Sequence, residues 1–281
     1  MKKLVVVCSI VFLLLFLLPS SAKAQYDTSR FAFKIYGGLN YLGGGELSKA
    51  AEGFGLDWTD FVEGSGYTVS NKFAAANLGM NFGGEFIFQF SPSMGVGLGV
   101  GYIQASSSTT LKTTPALPSG ITFAWGPKVS AIPITASFYY FLPAGGSLKF
   151  FFDLGLGYYL ATADIKHDFW FLAPITNETK TTGGGLGFHG GLGLEFGLSP
   201  MIGIIAELKG RYASFSNFEG SVDWIFPTVP ALNFSLNGKL YAYDDGGRTY
   251  VIVQDTMPTG GRQAAVDFSG FSFFAGIVIH F

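Results

Sequence analysis

Apolar residues recur at every second position through long stretches of this chain. The stretch 267–281 is the clearest. Phe271, Phe273, Ala275, Ile277, Ile279 and Phe281 form one unbroken apolar face, while Gly270, Ser272, Phe274, Gly276, Val278 and His280 form a mixed one. A period of two marks a strand. This one is longer than the ~5–6 residues usual in soluble sheets and suits the ~9–11 tilted residues that cross a bilayer. Seven further stretches read the same way: 31–41, 78–90, 94–105, 128–142, 148–161, 186–198 and 201–215. In the third, Val96, Leu98, Val100 and Tyr102 alternate with four glycines.

The connections alternate in length. Ser91-Pro92-Ser93, Pro143-Ala144-Gly145-Gly146 and Ser199-Pro200 are tight turns. Long connections follow strands one, three, five and seven. The pattern predicts an all-β fold: an antiparallel up-and-down transmembrane β-barrel of eight strands, with short periplasmic turns and long extracellular loops, chiefly about 42–72 and 216–262. Both chain ends then lie on the periplasmic side. The 232–254 segment leaves an alternative open. Asp244-Asp245-Gly246-Gly247 signals a hairpin, which either extends the wall above the membrane or adds two spanning strands to make ten. Its second arm is short for a span, which favours eight. In the first loop, Leu47, Ala51, Phe54, Trp58 and Phe61 recur at spacings of three and four. That stripe reads either as an irregular loop, weakened as a helix by Gly53 and Gly55, or as a short amphipathic helix over the barrel mouth or on the outer leaflet.

The N-terminus agrees with this compartment. Lys2 and Lys3 precede an apolar run from Leu4 to Leu18, and Ala22-Lys23-Ala24 has the shape of a cleavage site. Residues 1–24 read as a signal peptide and 25–281 as the barrel, with cleavage near Ala24. Cys8 lies inside the apolar run, too far upstream for a lipobox. The chain is 48% hydrophobic and 13% charged, against ~25% charged in a soluble domain. Apolar surface without long apolar runs fits strands that spend alternate residues on lipid. Removing residues 1–24 takes three lysines from the 17 basic residues and leaves 14 against 19 acidic ones, a formal charge of −5. No basic stripe points to nucleic acid. The mature chain has no cysteine for disulfides or thiolate metal sites.

Strand parity predicts the lumen residues. Lys34, Glu85, Asp153, Glu195, Glu207, Lys209 and Arg211 all oppose the apolar face, with the first five at similar depth. Charge inside a membrane structure is costly unless paired. The cluster reads either as a plug that closes a narrow bore, since eight strands leave room only for side chains, or as an ion- or solute-conducting path. An enzyme is not expected: His167, His189 and His280 sit near no recognisable serine motif. No metal or cofactor is expected either. Gly43-Gly44-Gly45 and Gly183-Gly184-Gly185 lack the context of phosphate loops and read as loop edges and lumen glycines. Trp58, Trp125, Trp170 and Trp224 fall in or beside the long loops. Trp125 fits an aromatic girdle; Trp58, Trp170 and Trp224 are candidates for stacking on an external sugar, lipid or protein.

The Phe281 ending, Val266-Asp267-Phe268-Ser269-Gly270-Phe271 before it, and Glu207-Leu208-Lys209-Gly210-Arg211-Tyr212 together resemble the small outer-membrane β-barrel superfamily that includes OmpA-like, OmpX-like and OmpW-like barrels. The resemblance implies a Gram-negative outer-membrane protein. It implies contact with outer-membrane lipid and lipopolysaccharide, and a terminal aromatic, Phe281, read by the barrel assembly machinery. Fold alone does not fix function. A non-enzymatic surface scaffold, binding an extracellular partner or ligand through its loops, is the favoured role. The alternative, implied by the OmpW-like resemblance, is a narrow channel or lateral-exit route for small or hydrophobic solutes.

Overall fold

A computed structural model describes residues 30–118, 121–171 and 173–281. The segment read as a signal peptide lies outside them. Eight strands close into one antiparallel ring. In chain order they are β1 (Phe31–Leu42), β2 (Leu78–Ser91), β3 (Met94–Ser106), β4 (Ala124–Gly145), β5 (Leu148–Phe171), β6 (Ala173–Gly197), β7 (Ile202–Tyr212) and, last in the chain, β11 (Gly270–His280). Each pairs with its neighbour in sequence, β7 pairs with β11, and β11 returns to β1, with Phe33 opposite Ile279. Closure leaves no unpaired edge in lipid. The Phe281 N–H donates to the Phe31 carbonyl at 3.0 Å, so the two ends of the barrel meet.

The outer face follows the period-two reading. Phe82, Leu98, Ile134, Leu154, Leu192 and Phe273 all point outward, Leu98 and Leu154 at 69% and 70% exposure. Such residues would be a liability in water and are the lipid contact here. The turns at 92–93, 146–147 and 198–201 are short, and 43–77, 107–123 and 213–269 are long.

The connection after the fifth strand differs from the expectation of a long loop. β5 and β6 run on as strands of 24 and 25 residues, paired with each other over their length. Their register is continuous from Leu148–Phe196 to Phe171–Ala173. Parity is also continuous, but the chemistry of the outward face switches. Phe150, Phe152, Leu154, Leu156, Tyr158 and Leu160 give way to Thr162, Asp164, Lys166 and Asp168. The inward face switches the other way, from Asp153, Gly155 and Gly157 to Ala161, Ala163 and Ile165. Below this boundary the barrel is apolar outside and polar inside. Above it the same wall is that of a soluble β-sheet around an apolar core.

Three more strands build that upper wall: β8 (Glu219–Ile225), β9 (Phe234–Asp245) and β10 (Arg248–Gln254). β8 pairs with the upper half of β6, Glu219 opposite Thr182 and Ile225 opposite Thr176; β9 pairs with β8, and β10 with β9. The hairpin at 234–254 therefore extends the wall, and the ring has eight strands. β6 changes partner from β7 to β8 at Gly183-Gly184-Gly185, which is the middle of a strand and not a loop edge. Gly184 holds φ 147°, and a side chain there would strike the Tyr159 carbonyl. Glycine permits the kink that lets one strand serve two partners.

The stripe in the first long connection is a helix, α1 (Gly45–Gly64). It stands inside the upper chamber, not on the outer leaflet. Leu47, Ala50, Ala51 and Val62 are buried in a core shared with Leu240, Val253 and Val266, against which Phe54 and Trp58 pack. Phe61, the last member of the stripe, is 51% exposed. Gly53 lets α1 approach β10 closely, because any Cβ there would meet the Thr249 backbone. No helix among the described residues is long and apolar enough to cross a membrane.

Candidate functional site

Two regions concentrate chemistry: a charge cluster in the lumen and the apolar chamber above it. In the lumen, Lys34 on β1 lies 2.7 Å from Glu85 on β2 and 3.2 Å from Glu207 on β7. Lys209 on β7 lies 2.9 Å from Glu207 and 3.2 Å from Asp153 on β5. The Lys34 ammonium donates to the Tyr139 hydroxyl at 2.5 Å, and that hydroxyl donates to Glu85 at 2.6 Å. Strands from around the ring thus meet on its axis, and Lys34, Glu85, Tyr139 and Glu207 are all 2% exposed or less. Glycines make the room: a Cβ at Gly191 would come within 3.1 Å of Glu207 Oε1, and one at Gly97 within 3.0 Å of the Glu85 carboxyl carbon.

Two residues grouped with this cluster by parity stand elsewhere. Glu195 lies nearer the periplasmic end, 2.7 Å from His280 and 3.4 Å from Lys149. The stagger between strands separates it from Asp153, which is opposite Gly191 while Glu195 is opposite Lys149. Arg211 lies higher, its Nε donating to the Phe268 carbonyl at 2.8 Å. Tyr139 was not legible as a member, since an aromatic on an inward face reads as packing.

A void of about 30 Å³ lies beside Tyr36, Lys209 and Arg211, enough for a water or two at the ~10–15 Å³ that one requires. His189 faces Ser137 at 3.1 Å and Asp153 at 3.9 Å through the same Nε2 atom, and its Nδ1 has no partner. A hydrolytic relay needs the two imidazole nitrogens on different partners, and all three residues are buried. Among the described residues no cluster of three or more His, Cys, Asp or Glu is arranged to hold a metal.

The upper chamber gathers the tryptophans. Trp125 is not a girdle residue: it is fully buried, and its ring lies 4.0 Å from His167, its cross-strand partner, and 5.4 Å from Phe54 on α1. Its position beside a loop suggested the interface, but its odd-numbered place on β4 turns it inward. Trp58 and Trp224 also face inward, Trp58 packing 4.7 Å from Phe123 and Trp224 stacking 5.8 Å from Phe234. Trp170 sits at the tip of β5 opposite Pro174, and its side chain is outside the described residues. Between α1 and the wall of β5, β6, β8, β9 and β10 lies a cavity of about 370 Å³, with Trp58 and Trp224 in its lining.

Arginines of the upper hairpin region pair with acidic residues of α1. Arg248 bonds Asp57 and, at 2.5 Å, Asp60. Arg262 reaches Glu46 at 2.5 Å and Asp244 at 2.8 Å. The hydrogen bonds to Asp60 and Asp57 push the Arg248 guanidinium pKa up. Burial drives the His167 imidazole down to about 3 from its ordinary 6.5, so it is neutral.

A closed ring with a lipid-facing apolar belt and a polar lumen defines an integral outer-membrane β-barrel. The chain belongs to the outer membrane protein beta-barrel domain family, whose model matches residues 10–226, and this places it in the bacterial outer membrane. Solved structures with a similar arrangement include OprG of Pseudomonas aeruginosa, at 12% identity and a TM-score of 0.41 over 91% of this chain and 98% of that one. Neisserial surface protein A matches at 12% identity and 0.38, over 90% and 98%. The outer membrane protease OmpT of Escherichia coli matches at 9% identity and 0.44, over 89% and 96%. No curated protein matches the chain.

Proposed function

We propose that this protein is a sealed, non-enzymatic barrel that anchors a rigid binding platform at the cell surface. One observation carries the reading: Lys34, Glu85, Tyr139, Glu207, Lys209 and Asp153 fill the bore, where two ammoniums make four ion pairs with three buried carboxylates. Bare charge in a low-dielectric interior costs several kcal/mol, so the cluster is stable closed and costly to open. Above it, α1 occupies the mouth. The void beside the cluster has room for only a water or two. The extended wall of β5, β6, β8, β9 and β10 provides the surface that faces the medium.

Single-channel recording in planar bilayers tests this. The purified protein is expected to give no discrete conductance, and the E207A/K209A double variant is expected to lose thermal stability without opening. Steady unit conductance from the unmodified protein would overturn the platform reading in favour of a passage.

A further inference from the structure

The extracellular chamber is built like a ligand site. Its cavity of about 370 Å³ falls within the range of ~300–1,000 Å³ for small-molecule pockets. A cavity of ~150 Å³ holds one benzene, so this one has room for roughly two to three fused or linked rings. Its walls are aromatic and aliphatic: Phe54 and Trp58 from α1, Phe169 from β5, Trp224 from β8, and Val251 and Val253 from β10. The rings stand at different angles, Phe169 being near-parallel to Trp58 at 30° and near-perpendicular to Trp224 at 88°. Such a cage meets a flat ring on its faces and edges.

Polar groups are few and placed. His167 lines the cavity, and its Nε2 is buried with no hydrogen-bond partner in the protein. Burial keeps the imidazole neutral, so one nitrogen donates and the other accepts. A buried polar atom left unpaired costs ~1–3 kcal/mol, and a ligand hydroxyl or carbonyl would satisfy it. Asn177 and Thr179 add hydrogen-bonding capacity to the same wall. No Lys, Arg, Asp or Glu is in the lining, which disfavours a charged ligand.

We infer that this chamber binds a compact, neutral, ring-rich molecule of two to three rings bearing one hydroxyl or carbonyl that bonds His167. The inference rests on the platform reading and gives that platform its ligand class.

The test uses the full protein in lipid nanodiscs, with empty nanodiscs as blank and 2-naphthol as probe. Quenching of tryptophan fluorescence is expected to saturate at one probe per chain. V251W, which fills the cavity, is expected to abolish saturable binding. H167F is expected to bind 2-naphthol about tenfold more weakly while leaving naphthalene binding unchanged. Heat-modifiable migration checks that each variant is folded. Non-saturable partition equal to the blank would overturn the inference, as would equal affinity in V251W. Tighter binding of 1-dodecanol than of 2-naphthol would overturn the ring assignment in favour of an acyl chain. A silent barrel that fails to bind removes only this inference, whereas discrete conductance removes the platform reading beneath it.

Discussion

Lys34 and Glu207 meet at 3.2 Å in the middle of the lumen although 173 residues separate them. They sit on β1 and β7, which do not pair; β11 lies between them. Lys34 also bonds Glu85, so one ammonium serves two buried carboxylates. Replacing Lys34 by Met is expected to destabilise the barrel by about 3–5 kcal/mol, because both carboxylates are left without their shared cation. The heat-modification midpoint of refolded protein measures this, and the K34M/E207Q double variant is expected to recover part of the loss. An unchanged midpoint in K34M would show that the cluster contributes nothing to stability.

The switch of outward chemistry between Leu160 and Thr162 sets the outer membrane boundary on β5. Leu156→Arg, on the lipid side, is expected to cost ~2–4 kcal/mol if it lies near the midplane, and Thr162→Arg about 0–1 kcal/mol. Equal costs in a reversible folding assay into vesicles would place the boundary elsewhere.

Packing, more than charge, should hold α1 in the chamber. Arg248 and its partners Asp57 and Asp60 are partly exposed, and pairs of that kind are weak and screened by salt. Arg248→Ala is therefore expected to leave limited proteolysis of the first connection unchanged at physiological salt. Gly53→Val forces a side chain into the Thr249 backbone and is expected to cost about 1–3 kcal/mol and expose α1 to cleavage. The reverse ranking would make the arginine clamps the principal tether.

Acid should loosen the chamber through His167. Its folded-state pKa is lowered to about 3 from 6.5 by burial. At pH above 6.5 the imidazole is neutral in both folded and opened chambers and adds no pH dependence. As pH falls from 6.5 toward 3, the opened chamber takes up a proton that the folded one rejects, so stability falls. Emission of the chamber tryptophans is expected to shift to the red in that window, and His167→Phe is expected to remove the shift. A shift retained in the variant would assign it to another group.

Phe281 bonds Phe31 only through its backbone, and its ring is 57% exposed toward lipid. Deleting it is expected to lower the amount of barrel assembled in cells while leaving refolding of purified chain nearly unchanged. Normal assembly of the truncated protein in cells would argue against a role for this residue in recognition by the assembly machinery.

Strand period, parity and turn residues were enough to read the ring of eight, its lipid face and its orientation. Those signals are local: alternate residues meet lipid or lumen whatever the partner strand is. The same parity turned Lys34, Glu85, Asp153, Glu207 and Lys209 inward. Which charges touch depends on the stagger between strands, which no single strand encodes. So Glu195 fell to a separate group with Lys149 and His280, and Tyr139 joined the cluster unannounced. The upper chamber was harder to see. Thr162, Asp164 and Lys166 looked like a polar loop, because polar-out, apolar-in alternation above a membrane inverts the pattern below it. Trp58, Trp125 and Trp224 looked like surface residues for the same reason. Only the closed tertiary wall, with α1 inside it, gave these side chains an interior to face, since an apolar core exists only where several distant segments enclose it.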